Sequence, residues 1–354
     1  MTAHLWNPAT LGKLELPHRL AMAPMTRDRS TAEGVPTALN AAYYTQRAST
    51  GLLITEGTQP SADGQGYLLT PGIHTAEQIA GWRTVTDGVH AAGGQVAIQL
   101  MHVGRISHPS NTPHGRQPVA PSAIQPAGAM FTMSGPQEMP VPRELSTEEV
   151  TETVRDFRKA AAAAIEAGAD AVEIHAANGY LVHQFLSSNA NKRTDRYGGS
   201  VDNRIRFAVE VAAAVADEIG AERTGIRISP GNPFNDITEE DTARLYPALV
   251  RALAPLNLAY LHVVAGGDEE LLHSLRREWP TALLLNRPGA DIATRVKDIE
   301  TDLADVVTVG MMALANPDLV ERIRTGAPLN NPDPATFYGG GEVGYTDYPT
   351  LSAG

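Results

Sequence analysis

The sequence predicts an α/β fold of eight strand–helix units, for which a (β/α)8 TIM barrel and an open doubly wound sheet compete, and three observations carry that prediction. Short apolar runs alternate with longer amphipathic or alanine-rich stretches eight times along the chain. The short runs, such as LLIT, LLL and VVTV, are apolar nearly throughout, as parallel strands covered by helices must be. Polar residues unusual in strands gather where those runs end, the face on which such barrels carry their chemistry.

The expected strands are 20–24, 52–56, 95–100, 171–175, 224–229, 258–264, 282–286 and 306–309. Helices are expected near 37–50, 76–93, 147–168, 202–219, 238–253, 268–278, 290–300 and 316–324. Ser146, with Glu149 three residues on, forms a capping box ahead of the third helix. Val150, Val154, Phe157, Ala161 and Ile165 then fall on one face, and Gly168 sits where a C-terminal stop belongs. Gly93 and Gly220 close two other helices. An open doubly wound sheet is the competing arrangement, but no Gly-x-Gly-x-x-Gly follows the first strand. One domain is expected over 1–354, with an N-terminal cap. The connection 101–146, rich in Pro, Gly, Ser and Met, is expected to lie as coil over the strand ends, and the tail 325–354 to wrap back on the barrel as ordered coil.

Composition narrows the chemistry. The 354 residues carry 28 Lys+Arg against 40 Asp+Glu, a net charge of −12 that repels nucleic acid and anionic membranes and favours small-molecule partners. With no cysteine, disulfides, iron–sulfur clusters and thiolate metal sites are excluded. The eleven histidines form no His-x-x-x-His pair on a helix, so no metal site is expected. The N-terminal MTAHLWNPATLGKLEL lacks the pattern of a signal peptide, and no apolar run approaches the ~20 residues of a membrane helix, leaving a cytoplasmic protein as the expectation.

At the strand ends stand Pro24-Met25-Thr26-Arg27, Glu56-Gly57, Gln99-Leu100-Met101-His102, His175 with Asn178 and Tyr180, Asn286-Arg287-Pro288-Gly289 and Val309-Gly310. Arg227 lies inside the fifth strand, where an unpaired charge is costly. Each has a plain reading too. A Gln or Thr at a strand end commonly serves its own loop, His102 can cap a strand, and Arg227 can belong to a structural ion pair. Three hydrogen-bonding side chains within the six residues 175–180 are harder to dismiss. Gly289 and Gly310 would admit a phosphate to the seventh and eighth strand ends, with Arg287 supplying charge.

Segments spread over the whole chain resemble the old yellow enzyme family of FMN-dependent ene-reductases. They include RLAMAPMTR at 19–27, LLITEGT at 52–58, QLMHVGR at 99–105, VEIHAANGYLVHQF at 172–185, NKRTDRYGGSVDNRIRF at 191–207, GIRISP at 225–230, ANPDL at 315–319 and FYGGGEVGYTDYP at 337–349. The resemblance settles the expectation on the (β/α)8 TIM barrel, and it implies non-covalently bound FMN, NADPH or NADH as reductant, activated alkenes as substrates, and a monomer or homodimer. It places Pro24, Met25, Thr26, Gly57, Gln99, His175 and Arg227 against the flavin, with Gly289, Gly310 and Tyr338 also at the cofactor. His175 and Asn178 would bind the substrate carbonyl and Tyr180 would protonate Cα, while Tyr67 and Met101 line the pocket. Two departures stand out: Met101 replaces the family's tryptophan, and Gly310-Met311 replaces its phosphate-binding Gly-Arg, for which Arg287 is the expected substitute. A flavin-free barrel lyase or isomerase acting on a phosphorylated substrate and a non-catalytic flavin-binding or storage protein are the rival readings.

Overall fold

The computed structural model describes residues 3–351, so the outermost ends of the expected 1–354 span lie outside the described residues. Eight parallel strands close into a barrel: β1 (Leu20–Met22), β2 (Leu52–Ile54), β3 (Val96–Leu100), β4 (Ala171–Ala176), β5 (Thr224–Ile228), β6 (Tyr260–Val264), β7 (Ala282–Asn286) and β8 (Val306–Val309). Each pairs with the next, and β8 returns to β1 through Val307↔Leu20 and Thr308↔Ala21. The expected helices follow as α1 (Ala38–Thr45), α2 (Ala76–Ala91), α3 (Thr147–Glu166), α4 (Val201–Ile219), α5 (Thr242–Leu253), α6 (Glu269–Glu278), α7 (Ile292–Glu300) and α8 (Leu319–Thr325). The Ser146–Glu149 capping box forms, and Gly168 leaves α3 at φ +95°, a backbone only glycine adopts freely.

The barrel interior changes character along its axis. Its lower layer is apolar: Ala21, Leu52, Ala97, Ala171, Tyr260, Leu284 and Val306. Leu11, Leu14 and Leu16, from an antiparallel hairpin (Ala9–Leu11 with Leu14–Leu16), plug the bottom; this is the N-terminal cap. Two residues further along the same strands come Gln99, Glu173, His262, Asn286 and Thr308, all buried. The strand period of two keeps each on the inner face, so the interior turns polar as it approaches the strands' C-terminal ends.

Three short elements escaped the hydrophobic pattern: the bottom hairpin, a helix at Leu181–Leu186 and another at Met311–Ala315. The 101–146 connection is not plain coil. It holds a 3-10 turn (Pro109–Asn111), a hairpin (Ala129–Thr132 with Gly135–Glu138) and a short parallel pair, Val119–Ala120 with Arg143–Glu144. The tail is ordered by arginines from the far end of the chain. Arg27 donates to the carbonyls of Phe337 (3.0 Å) and Gly344 (2.8 Å), and Arg29 to that of Thr336 (2.9 Å). Tyr345 is fully buried and stacks on Tyr43 with ring centroids 4.1 Å apart.

Candidate active site

The loop leaving β4 is held by its own polar atoms. The backbone N–H of Ala177 donates to His175 Nδ1 (3.2 Å), that of Asn178 to Ser229 Oγ (2.8 Å), and that of Gly179 to His183 Nδ1 (2.9 Å). Asn178 and Gly179 are both left-handed, at φ +56° and +78°. A Cβ at 179 would stand 2.6 Å from the Phe234 carbonyl oxygen, so the turn needs glycine on two counts.

These bonds fix protonation as well as position. His175 accepts at Nδ1, and burial, helped by Arg227, holds its pKa well below the usual histidine value. The ring is therefore neutral with its proton on Nε2. Asn178 Oδ1 accepts from Asn232 Nδ2 at 3.0 Å, which leaves its own Nδ2 as a donor. Tyr180 packs edge-to-face on His175, centroids 5.0 Å apart, and its hydroxyl lies 3.0 Å from that of Tyr67. Met101, Val103, Ile106, Met130 and Met139 surround the two tyrosines, so the long connection does cover this site.

Beneath lies a directional hydrogen-bond chain. Asn286 Nδ2 donates to Thr308 Oγ1 (3.0 Å), Thr308 Oγ1 to His262 Nε2 (3.0 Å), and His262 Nδ1 to Glu173 (2.9 Å). Gln99 Nε2 donates to the other Glu173 oxygen from the opposite side at 2.8 Å. Burial raises the Glu173 pKa, but His262, Arg227 and Gln99 outweigh it and hold the carboxyl below its ordinary value. Arg227, from β5, is buried, yet its guanidinium makes no hydrogen bond to any described residue. The structural ion pair that was its alternative reading is absent among the described residues. Glu173, His262 and Thr308 were not singled out from the sequence. The legible signal was a charged or polar residue at the second position after an apolar one in AVEIH, AYLHV and VVTV.

Pro24, Met25 and Thr26 follow β1 half-buried, while Gly57 is closed in by Met101, whose Sδ a Cβ at 57 would meet at 2.4 Å. Tyr338 is exposed at the mouth. His102 accepts the Gly104 N–H at 3.1 Å, and burial pushes its pKa down to about 4: it is a neutral strand cap.

The phosphate expectation for Arg287 needs correction. Its Nε and Nη2 donate to Asp298 (2.8 and 3.0 Å), and Nη1 and Nη2 donate to Glu269 (2.6 and 2.9 Å), so two carboxylates occupy the fork. The partners are these, not the neighbouring Asp291. Arg295, from α7, is a second cation at this end; it donates to the carbonyls of Thr308 (2.9 Å) and Arg287 (2.6 Å), tying the two loops together. Gly289 is left-handed, at φ +77°, and Met311 is half exposed.

Residues 4–330 match the model of the NADH:flavin oxidoreductase / NADH oxidase family. The chain is 43% identical to a probable flavin mononucleotide-dependent alkene reductase of Leishmania infantum over 98% of this chain and 97% of that protein. It is 42% identical to 12-oxophytodienoate reductase 1 of Oryza sativa subsp. japonica, over 98% and 93% respectively. Among solved structures, morphinone reductase in complex with tetrahydroNAD superposes with a TM-score of 0.94 at 45% identity, covering 98% of this chain and 97% of that one. The old yellow enzyme homologue from Zymomonas mobilis gives 0.94 at 37%, covering 98% and 99%. With its closed barrel and polar upper layer, the chain belongs to the old yellow enzyme family of FMN-dependent oxidoreductases.

Proposed function

We propose that this protein is an alkene reductase that holds FMN over the polar layer, draws on NADPH or NADH, and reduces α,β-unsaturated carbonyl or nitro compounds. The carrying observation is the pair of uncommitted donors, His175 Nε2–H and Asn178 Nδ2–H, beside the Tyr180 hydroxyl. The names of the relatives support the same reading.

The donor set suits a flavin. Glu173 only accepts, so Gln99 must turn its Nε2 toward it and present Oε1, an acceptor for a ring N–H. Arg227 offers an uncommitted guanidinium for a ring edge that becomes electron-rich. Thr26 adds a hydroxyl at the end of β1. Arg287 being occupied, the phosphate would rest on backbone N–H groups around Gly289 and Gly310, near the charge of Arg295. When bound, FMN supplies the hydride transfer from nicotinamide to alkene.

His175 and Asn178 would hold the substrate's carbonyl oxygen from two directions and stabilise the charge that develops there. Tyr180 would deliver the proton at Cα. Tyr67 would donate to the Tyr180 oxygen, which offsets part of the rise that burial imposes on the Tyr180 pKa and leaves the Tyr180 proton to transfer. Purified protein should be yellow, bleach anaerobically with NADPH or NADH, and regain colour with cyclohexenone. A colourless preparation that takes up no FMN would refute the flavin reading. Bleaching without recolouring by any enone or nitroalkene would refute the alkene reading.

A further inference from the structure

We infer that Glu173 is a positioning residue for the flavin: its carboxylate sets the amide of Gln99 and tempers the field of Arg227. The inference rests on the flavin reading above.

Glu173 is fully buried two residues before His175 on β4, one layer deeper on the same inner face. The β3–β4 register places it beside Gln99, and the 2.8 Å bond from Gln99 Nε2 excludes the flipped amide, which would set two oxygens against each other. Gln99 therefore presents its Oε1 acceptor to a ligand, with the second Nε2–H as its one remaining donor. Glu173's second oxygen accepts the hydrogen bond of His262 Nδ1–H, and His262 is itself fixed by Thr308 and Asn286. Every donor in the chain points toward this one carboxylate. A neutral or rotated group at 173 would release both ends of the chain.

The second effect is electrostatic. Arg227, on the neighbouring β5, pairs in register with His175, one inward-facing step above Glu173, so the two opposite charges attract across adjacent strands without an ion-pair contact between them. Glu173 thus lowers the potential that Arg227 projects upward. Since reduction adds negative charge to the ring edge, a full Arg227 charge would favour the reduced cofactor more strongly than the tempered one.

The test is the two-electron midpoint potential and FMN affinity of purified holoprotein. Glu173→Gln removes the charge and no longer dictates the Gln99 rotamer. FMN affinity should fall about tenfold, and the ratio of reduced to oxidised cofactor at a set potential should rise about tenfold, a shift of ~+30 mV. A merely structural role would not move the potential in that direction. Glu173→Asp keeps the charge but shortens the reach by one methylene. It should lose FMN affinity several-fold with less than a twofold change in that ratio, under ~10 mV. If Glu173→Gln does not fold, Glu173→Asp carries the test, and unchanged affinity in it overturns the inference. Wild-type affinity and potential in both variants overturn it as well, with the flavin reading intact. A wild-type protein that binds no FMN overturns the flavin reading itself.

Discussion

The hydroxyls of Tyr67 and Tyr180 lie 3.0 Å apart, with the rings edge to face at 6.3 Å. Tyr180 is buried and Tyr67 half-buried, and desolvation raises both pKa values, Tyr67 well above the usual phenol and Tyr180 less so, because Tyr67 stabilises it. A pair of this kind gives the proton donor a partner of its own. Tyr180→Phe should slow alkene reduction by about 10²-fold or more while leaving cofactor reduction by NAD(P)H nearly intact. Tyr67→Phe should slow the same step about 3- to 10-fold, the share expected of one hydrogen bond. Stopped-flow traces that show equal losses in both half-reactions would contradict the assignment. Nitroalkenes should suffer less, because the nitronate can leave before it is protonated.

His175 stays neutral across the working range because its pKa is depressed by burial and by Arg227. Its Nε2–H donor is therefore unchanged as pH rises from 6 to 8, and it would gain a second proton only in acid. Phenol binding, corrected for ionisation of the phenol, should be flat over that interval. A step near pH 6.5 would mean that the imidazole titrates. His175→Ala should weaken phenol binding and cut enone turnover by about 10²-fold, as loss of one preorganised donor does.

Arg287 and Arg295 should separate stability from cofactor affinity. Arg287→Ala leaves the buried Asp298 without its fork and should cost about 2–3 kcal/mol in denaturant unfolding, with FMN affinity changed little. Arg295→Leu frees the two carbonyls that join the β7 and β8 loops and removes the nearby charge. FMN affinity should drop at least tenfold more than riboflavin affinity, measured by fluorescence titration. Equal losses for both ligands would place the phosphate elsewhere.

Glu56 accepts the Arg27 backbone N–H at 3.0 Å and the Tyr44 hydroxyl at 3.3 Å, yet burial pushes its pKa up to about 7. A carboxyl raised in the folded state binds its proton more tightly there than in the unfolded chain. Its contribution to stability is thus fully present below the unfolded pKa near 4.5 and is lost as pH rises toward 7. Glu56→Gln should flatten the decline of the unfolding midpoint between pH 5 and 7.5. Parallel curves for the two proteins would show that Glu56 is ionised in the native state.

The barrel was legible because its strands are continuous apolar runs and its helices carry caps that name their own ends, Ser146 and Gly168 above all. The bottom hairpin was not, since six strand residues with a two-residue turn leave too short a period to register. His175, Asn178 and Tyr180 stood out because they are crowded into one loop. Glu173, His262 and Thr308 are each a single polar residue in a different apolar run, and they become a chain only after the barrel closes. Arg287 shows the opposite error: its position at a strand end was read correctly, but its partner Glu269 lies on α6 and its partner Asp298 on α7, outside any local window.

The arginine hold on the tail predicts an order of assembly. Arg27 sits directly after Thr26, and its partner Phe337 is 310 residues away along the chain. Arg47 ties Tyr345 to the carbonyls of Ala313 and Leu314 behind β8. Contacts of such span form late, because the loop they close must first lose its freedom. The loop that would flank the flavin after β1 is therefore expected to acquire its final shape only once β8 and the tail have docked. Refolding followed by far-UV circular dichroism should reach native helix content before the protein regains cofactor, and flavin capture would mark the last event of folding, not a template for it.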